Sequence, residues 1–162
     1  MVTNKDMIHL RRAVELARQA LEAGDAPFGS VLVSGGGEVL MEACNQVGGG
    51  DHTQHPEFNL ARWAAEHLTA EERSRATVYT SGEHCPMCSA AHGWVGLGRI
   101  VYASSSKQLA GWRDEMDVPS GRVRGLSIQE VIRDTVVEGP VLELAGEVRE
   151  LQRRYYLGGD RG

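Results

Sequence analysis

The 162-residue chain is short of cysteine, of positive charge and of long apolar runs, and each shortage excludes something. Three cysteines, Cys44, Cys85 and Cys88, make an odd number, which argues against a disulfide framework and for a reducing compartment. No run approaches the ~20 apolar residues of a membrane span. The opening segment, residues 1–6, is polar and lacks the apolar core of a secretory leader. A cytoplasmic location is the expectation. With 22 acidic and 17 basic side chains the formal charge is −5, so nothing draws the chain to nucleic acid in general. The short arginine segments at 73–75 and 153–154 read as solvated helix faces. What remains is 41% hydrophobic and 24% charged, the composition of a globular chain with one sizeable core, and one domain over 1–162 is expected.

Apolar periodicity divides the chain. Met7, Leu10, Val14, Ala17 and Leu21 recur at helical spacing and predict a helix over 4–23, capped by Thr3 or Asn4 and ended by Gly24. A strand over 29–33, a glycine turn over 34–37 and a strand over 38–44 predict a loose-tipped hairpin. A Gly-rich loop, 46–54, leads to a helix over 56–68, with Phe58, Ala61, Ala65 and Leu68 as its inward stripe. A strand over 77–80, a helix over 86–95, a strand over 99–103 and a short helix within 104–112 follow. The chain then reads as a loop over 114–125, a short helix over 127–133, an edge strand over 135–137 and a helix over 141–156, striped by Leu144, Val148, Leu151 and Tyr155. This order predicts an α/β fold with a mixed sheet and helices on both faces, the helix-linked strands parallel and the first hairpin antiparallel.

The chemistry gathers at two helix starts. Cys85 and Cys88 form a C-x-x-C, which alone fits a redox pair, half of a structural zinc site or chance. Here it lies between a strand and a helix opening at Pro86, while His55 and Glu57 bracket Pro56 at another helix start. Proline suits the first helical position, where its missing N–H costs nothing. Zinc takes thiolate sulfur and imidazole nitrogen, and a catalytic site leaves a fourth position to water. His55, Cys85 and Cys88 are therefore the candidate metal ligands, for one zinc per chain with water or hydroxide as fourth ligand. Glu57 is the candidate general acid/base. Two helix amino termini would meet at the metal, and their partial positive charge favours thiolate and developing negative charge.

H-x-E followed by C-x-x-C is the signature of zinc nucleobase deaminases. On these residues the chain resembles the cytidine/deoxycytidylate deaminase superfamily, and within it bacterial guanine deaminases and related nucleobase deaminases. Residues 27–33, PFGSVLV, are similar to P-F-G-A-V-I-V, and residues 80–88, TSGEHCPMC, to T-S-C-E-P-C-P-M-C. Asn45 sits where the family has a substrate-binding asparagine. Residues 111–114, GWRD, lie where guanine deaminases carry an aromatic-acidic segment. The likeness covers roughly 5–115, and 116–162 adds a loop, short helix, edge strand and helix.

The resemblance implies a three-layer α/β/α sandwich around a five-stranded mixed sheet. It also implies zinc-dependent hydrolytic deamination of a free nucleobase (guanine or a related purine, pyrimidine or ring analogue), with release of ammonia. Glu57 would move protons, and the backbone N–H of Cys85 would steady the reacting oxygen. Asn45 would hydrogen-bond the base, Phe28, Trp94 or Trp112 would stack on it, and Asp114 would contact an amino or ring N–H. A homodimer is implied, with the carboxy-terminal segment, Tyr156 included, near the neighbour's site. Two departures stand out. Pro56 lies between the ligand histidine and the glutamate, and His84 replaces the proline before the first cysteine, which makes His84 a candidate pocket residue. A tRNA adenosine deaminase or nucleoside deaminase shares the motif pair, but the acidic balance counts against tRNA. Glu57 counts against a non-catalytic zinc scaffold, which has no use for a proton carrier.

Overall fold

A computed structural model describes residues 1–158; the end of the carboxy-terminal tail, 159–162, lies outside the described residues. Helix α1 (Asn4–Glu22) opens on a reciprocal cap, the Thr3 hydroxyl accepting from the Asp6 N–H and the Asp6 carboxylate accepting from Thr3. Its buried face carries Leu10, Val14 and Ala17 as the spacing predicts, with Ala13, Leu16 and Ala20 beside them. This face lies directly on strand β1 (Gly29–Val33). A Cβ at Gly29 would sit 2.5 Å from the Ala13 carbonyl oxygen, so only glycine admits so close an approach.

Strands β2 (Val39–Cys44), β3 (Thr77–Gly82), β4 (Ile100–Ser104) and β5 (Val137–Glu138) complete a sheet of order β2-β1-β3-β4-β5. β1 is antiparallel to both β2 and β3, whereas β3–β4 and β4–β5 are parallel. Alternate residues separate the two faces. Val31, Val33, Tyr79, Val101 and Ala103 pack against α1 and against Leu144, Val148 and Leu151 of α7 (Leu142–Leu157). On the other face Leu32 and Val78 meet Leu60, Ala61 and Ala64 of α2 (Pro56–His67). Helix α4 (Pro86–Val95) packs beside α2, and Ile100 and Tyr102 cover Ile128 of the short α6 (Ile128–Val131). The result is the predicted three-layer sandwich with a mixed five-stranded sheet.

Several boundaries differ from the sequence expectation. A helix α3 (Ala70–Arg75), where none was expected, is nucleated by a capping box between Thr69 and Glu72. β3 runs on to Gly82 because Gly82 still pairs with Ser104. α5 spans Ser106–Glu115, and its Ser105 cap sets the start. The inward stripe of α2 is also rotated: Glu57, Leu60, Ala61 and Ala64 are buried, while Ala65 is exposed. A hydropathy pattern does not place a glutamate on the core side, yet that is where Glu57 points.

At the amino-terminal edge of the parallel strands, Arg99 grips both Asp6 carboxylate oxygens, at 2.8 and 3.0 Å, and also pairs with Glu138. Tyr79 donates to Asp6 at 2.6 Å. Arg99 holds the buried Asp6 well below the usual carboxylate range; burial opposes this, and Tyr79 and Thr3 add to it. A depressed folded-state pKa contributes stability above the unfolded value of about 4, lost as pH falls through the folded value. Asp6→Asn is therefore expected to cost about 2 kcal/mol at neutral pH. The gap from wild type should stay constant above about pH 5 and shrink in acid. Urea melts across pH check this; a gap independent of pH down to 3 would remove the charge from the account.

Candidate metal centre

The loops that follow β2 and β3 enter α2 and α4 in the same way. His55 is the cap of α2 with Pro56 in the first turn, and Cys85 is the cap of α4 with Pro86 in the first turn. The Cys85 sulfur accepts from the Cys88 N–H at 3.5 Å, which folds Cys88 back over the helix start. The two caps meet. The His55 Nδ1 lies 3.4 Å from the Cys85 Sγ and 3.6 Å from the Cys88 Sγ, and the three donor atoms fall within 4.8 Å of one another. Bond lengths of about 2.3 Å to sulfur and 2.0 Å to nitrogen at tetrahedral angles require sulfur–nitrogen separations of about 3.6 Å. The donor set and its spacing fit zinc, with three protein ligands and room for a fourth.

Electrostatics agree with this arrangement. Cys85 is brought down to about 4, first by its hydrogen bond with Cys88 and also by His55, against the effect of burial. The same Cys85 contact, with burial, raises the Cys88 thiol. His55 is raised, chiefly by Cys85. Even without a metal, one thiolate sits between an imidazole and a thiol, at a point towards which two helix dipoles direct their positive ends.

Glu57 stands beside this cluster, buried at 6% exposure. Burial raises it to about 7 and the Cys85 charge adds to that, while His55, Ser30 and Thr80 pull the other way. Its Oε1 accepts from the Ser30 hydroxyl at 2.9 Å and from the Thr80 hydroxyl at 3.1 Å. A carboxyl poised near neutrality beside three metal-ligand atoms can both accept and return a proton. Sequence reasoning did not assign Ser30 and Thr80; the available signal was a lone hydroxyl in the otherwise apolar β1, whereas Thr80 is one of several hydroxyl side chains in β3. It also left Glu83 unassigned. Glu83 accepts from the Ser106 and Ile128 N–H groups, each at 2.9 Å, and so ties the starts of α5 and α6 to the ligand loop.

The other predicted site residues divide. Asn45 is buried at the end of β2, donates its N–H to the Phe28 carbonyl, and accepts on Oδ1 from the Val47 N–H at 2.9 Å. The Phe28 ring lies against Gly82, where a Cβ would come within 3.1 Å of it. Both lie at the Gly29 end of β1, next to Ser30, whose hydroxyl bonds Glu57. His84 is instead turned away, at 1% exposure, with its ring edge-on to His92 at 5.4 Å, one turn beyond Cys88. Its side chain fills the space beneath α4. Trp94 is 89% exposed near the end of α4, about 13 Å along the helix from Cys85 at 1.5 Å per residue, so it does not stack over this chain's own metal cluster. Trp112 packs against the α1–α7 core, and Asp114 is exposed on α5. Tyr156 accepts from Arg113 Nε at 2.9 Å, and the guanidinium lies over its ring, which latches α7 to α5.

Comparison with known proteins follows the same lines. The chain is 36% identical over 108 residues to a probable cytosine deaminase of Schizosaccharomyces pombe, covering 67% of this chain and 65% of that protein. It is 35% identical over 102 residues to the guanine deaminase of Bacillus subtilis, covering 62% of this chain and 65% of that protein. The match thus spans just under two thirds of the length of each relative. The solved guanine deaminase of Nitrosomonas europaea superposes with a TM-score of 0.69 over 96% of this chain and 86% of that one, at 20% identity, a likeness of fold. Residues 3–104 match the cytidine and deoxycytidylate deaminase zinc-binding region, and the chain belongs to that deaminase family.

Proposed function

We propose that the chain is a zinc-dependent aminohydrolase of free nucleobases, guanine, cytosine or a related ring, exchanging an exocyclic amine for a carbonyl with release of ammonia. The observation that carries this reading is Glu57, a buried carboxyl near neutrality beside the His55–Cys85–Cys88 cluster. When bound there, zinc supplies a Lewis acid that brings the pKa of a coordinated water to about 7. Glu57 takes one proton from the attacking water and gives it to the ring nitrogen, then takes the second proton from the newly added hydroxyl and gives it to the departing amine, so that water and amine go to carbonyl and ammonia. The Cys85 N–H, at the α4 cap, steadies the oxygen as charge develops. Asn45, its Oδ1 occupied by Val47, offers an N–H to an acceptor on the base. Phe28 provides an apolar ring at the same edge. The acidic charge balance supports a free base over a polynucleotide, and two of the sequence relatives bear the names of free-base enzymes, cytosine and guanine deaminase.

The working unit in this reading is a homodimer in the cytoplasm, with the 162 residues as one domain. No described helix is long and apolar enough to cross a membrane. The exposed Trp94 supports a second copy as its cover, because a lone tryptophan so far in solvent is uncommon outside interfaces. The partner would bring its own carboxy-terminal helix, with Tyr156, near the site.

Ammonia release from zinc-loaded protein, measured across free bases and their nucleosides, tests the activity. Wild type is expected to turn over free bases and not nucleosides, and chelation should abolish turnover until zinc is restored. Glu57→Ala is expected to keep one zinc per chain and lose turnover by about 10²–10⁴-fold. Near wild-type turnover by Glu57→Ala would take Glu57 out of the mechanism, and salt-sensitive tRNA binding with no turnover of bases would favour tRNA as substrate. Light scattering tests the assembly: wild type should be dimeric and Trp94→Glu monomeric, whereas a monomeric wild type would end the dimer reading.

A further inference from the structure

On the α2-facing side of β1 and β3 the side chains are Ser30, Leu32, Val78 and Thr80, with Gly82 at the end. Ser30 and Thr80 are register partners across the strands, and both are 0% exposed. Burying a hydroxyl among apolar neighbours costs free energy unless it is hydrogen-bonded. An alanine, which the similar P-F-G-A-V-I-V pattern has in place of Ser30, would fill nearly the same space without that cost. The partners of Ser30 are two oxygens: Glu57 Oε1 and Thr80 Oγ1, each at 2.9 Å.

Thr80 cannot do the same work alone. Its single hydroxyl proton is contested by Gly82 O at 2.9 Å, Glu57 Oε1 at 3.1 Å and Gly29 O at 3.5 Å. Ser30 resolves the contest in either arrangement. It donates directly to Glu57 while Thr80 serves Gly82, or it donates to Thr80 and strengthens the Thr80 bond to Glu57. Both arrangements hold the same carboxyl oxygen on the sheet side.

We propose that Ser30 is a positioning residue for Glu57, holding Oε1 against the sheet so that Oε2 stays turned towards the His55–Cys85–Cys88 cluster. Its effect on catalysis rests on the reading of Glu57 as proton carrier; the orientation itself does not. Without Ser30 the carboxylate keeps a part-time bond to Thr80 and gains access to other staggered wells about its side-chain torsions.

The test compares zinc-loaded wild type with Ser30→Ala by crystallography and by steady-state kinetics, with zinc content and melting temperature reporting that the fold is retained. In Ser30→Ala, the Glu57 carboxylate is expected to occupy a second rotamer. Turnover number should fall about tenfold with KM within twofold of wild type. A Glu57 carboxylate that stays in place, or an unchanged turnover number in a variant whose carboxylate has moved, would overturn the proposal. If wild type releases no ammonia, the deaminase reading falls, and the crystallographic comparison still decides whether Ser30 holds the carboxylate.

Discussion

The approach of the α2 and α4 amino termini is the constraint on which the site depends. Each helix ends its entry loop on a candidate metal-ligand side chain at the cap and places proline in the first turn. Proline fixes the entry backbone without forfeiting a hydrogen bond, and the cap side chain projects past the helix end. Because both caps do this at neighbouring points of one sheet edge, an imidazole and two sulfurs converge without any long loop having to order itself around a metal. Cys85 sits far below an ordinary thiol because Cys88 and His55 hydrogen-bond its sulfur, and the helix amino termini add a favourable field for negative charge.

Glu57 depends on the same geometry and opposes the core. It occupies the second position of α2, and the turn that carries His55 outward to the cluster carries Glu57 inward to the sheet. A carboxyl in that apolar layer is destabilising on its own account. Ser30 and Thr80 offset part of the cost, and the remainder appears as a pKa near neutrality. The opposite edge of the sheet solves a similar problem differently. There Asp6 is buried as a full charge because Arg99 and Tyr79 surround it, which keeps α1 pinned to β3, β4 and β5 while the ligand edge remains available for chemistry.

Much of this was legible in the sequence, for physical reasons. The strand at 29–33 and the helix at 86–95 are bounded by proline, glycine and sharp changes of periodicity, and both appear with the predicted limits. The cluster of candidate metal ligands was legible because their chemistry is rare and their spacing is tied to helix starts. The stripe of α2 was misread because hydropathy scores glutamate as outward, whereas hydroxyls from two distant strands make its burial tolerable. The orientations of His84 and Trp94 were not legible for a related reason. Adjacency in sequence to Cys85 and Cys88 says nothing about which side of α4 a ring takes, and packing against His92 sent one inward while helix phase sent the other out. Contacts between residues far apart in the chain, such as Arg113 with Tyr156 or Glu83 with Ile128, leave no local pattern to read.

The central claim is that the converging caps provide three protein ligands and leave a fourth position open. X-ray absorption at the zinc edge of the loaded protein tests it most directly. The account predicts two sulfur ligands at about 2.3 Å with one nitrogen and one further light ligand at about 2.0 Å, and exchange of the light ligand on addition of a small anion. A coordination sphere filled by four protein donors and inert to added anion would contradict it and make the site structural.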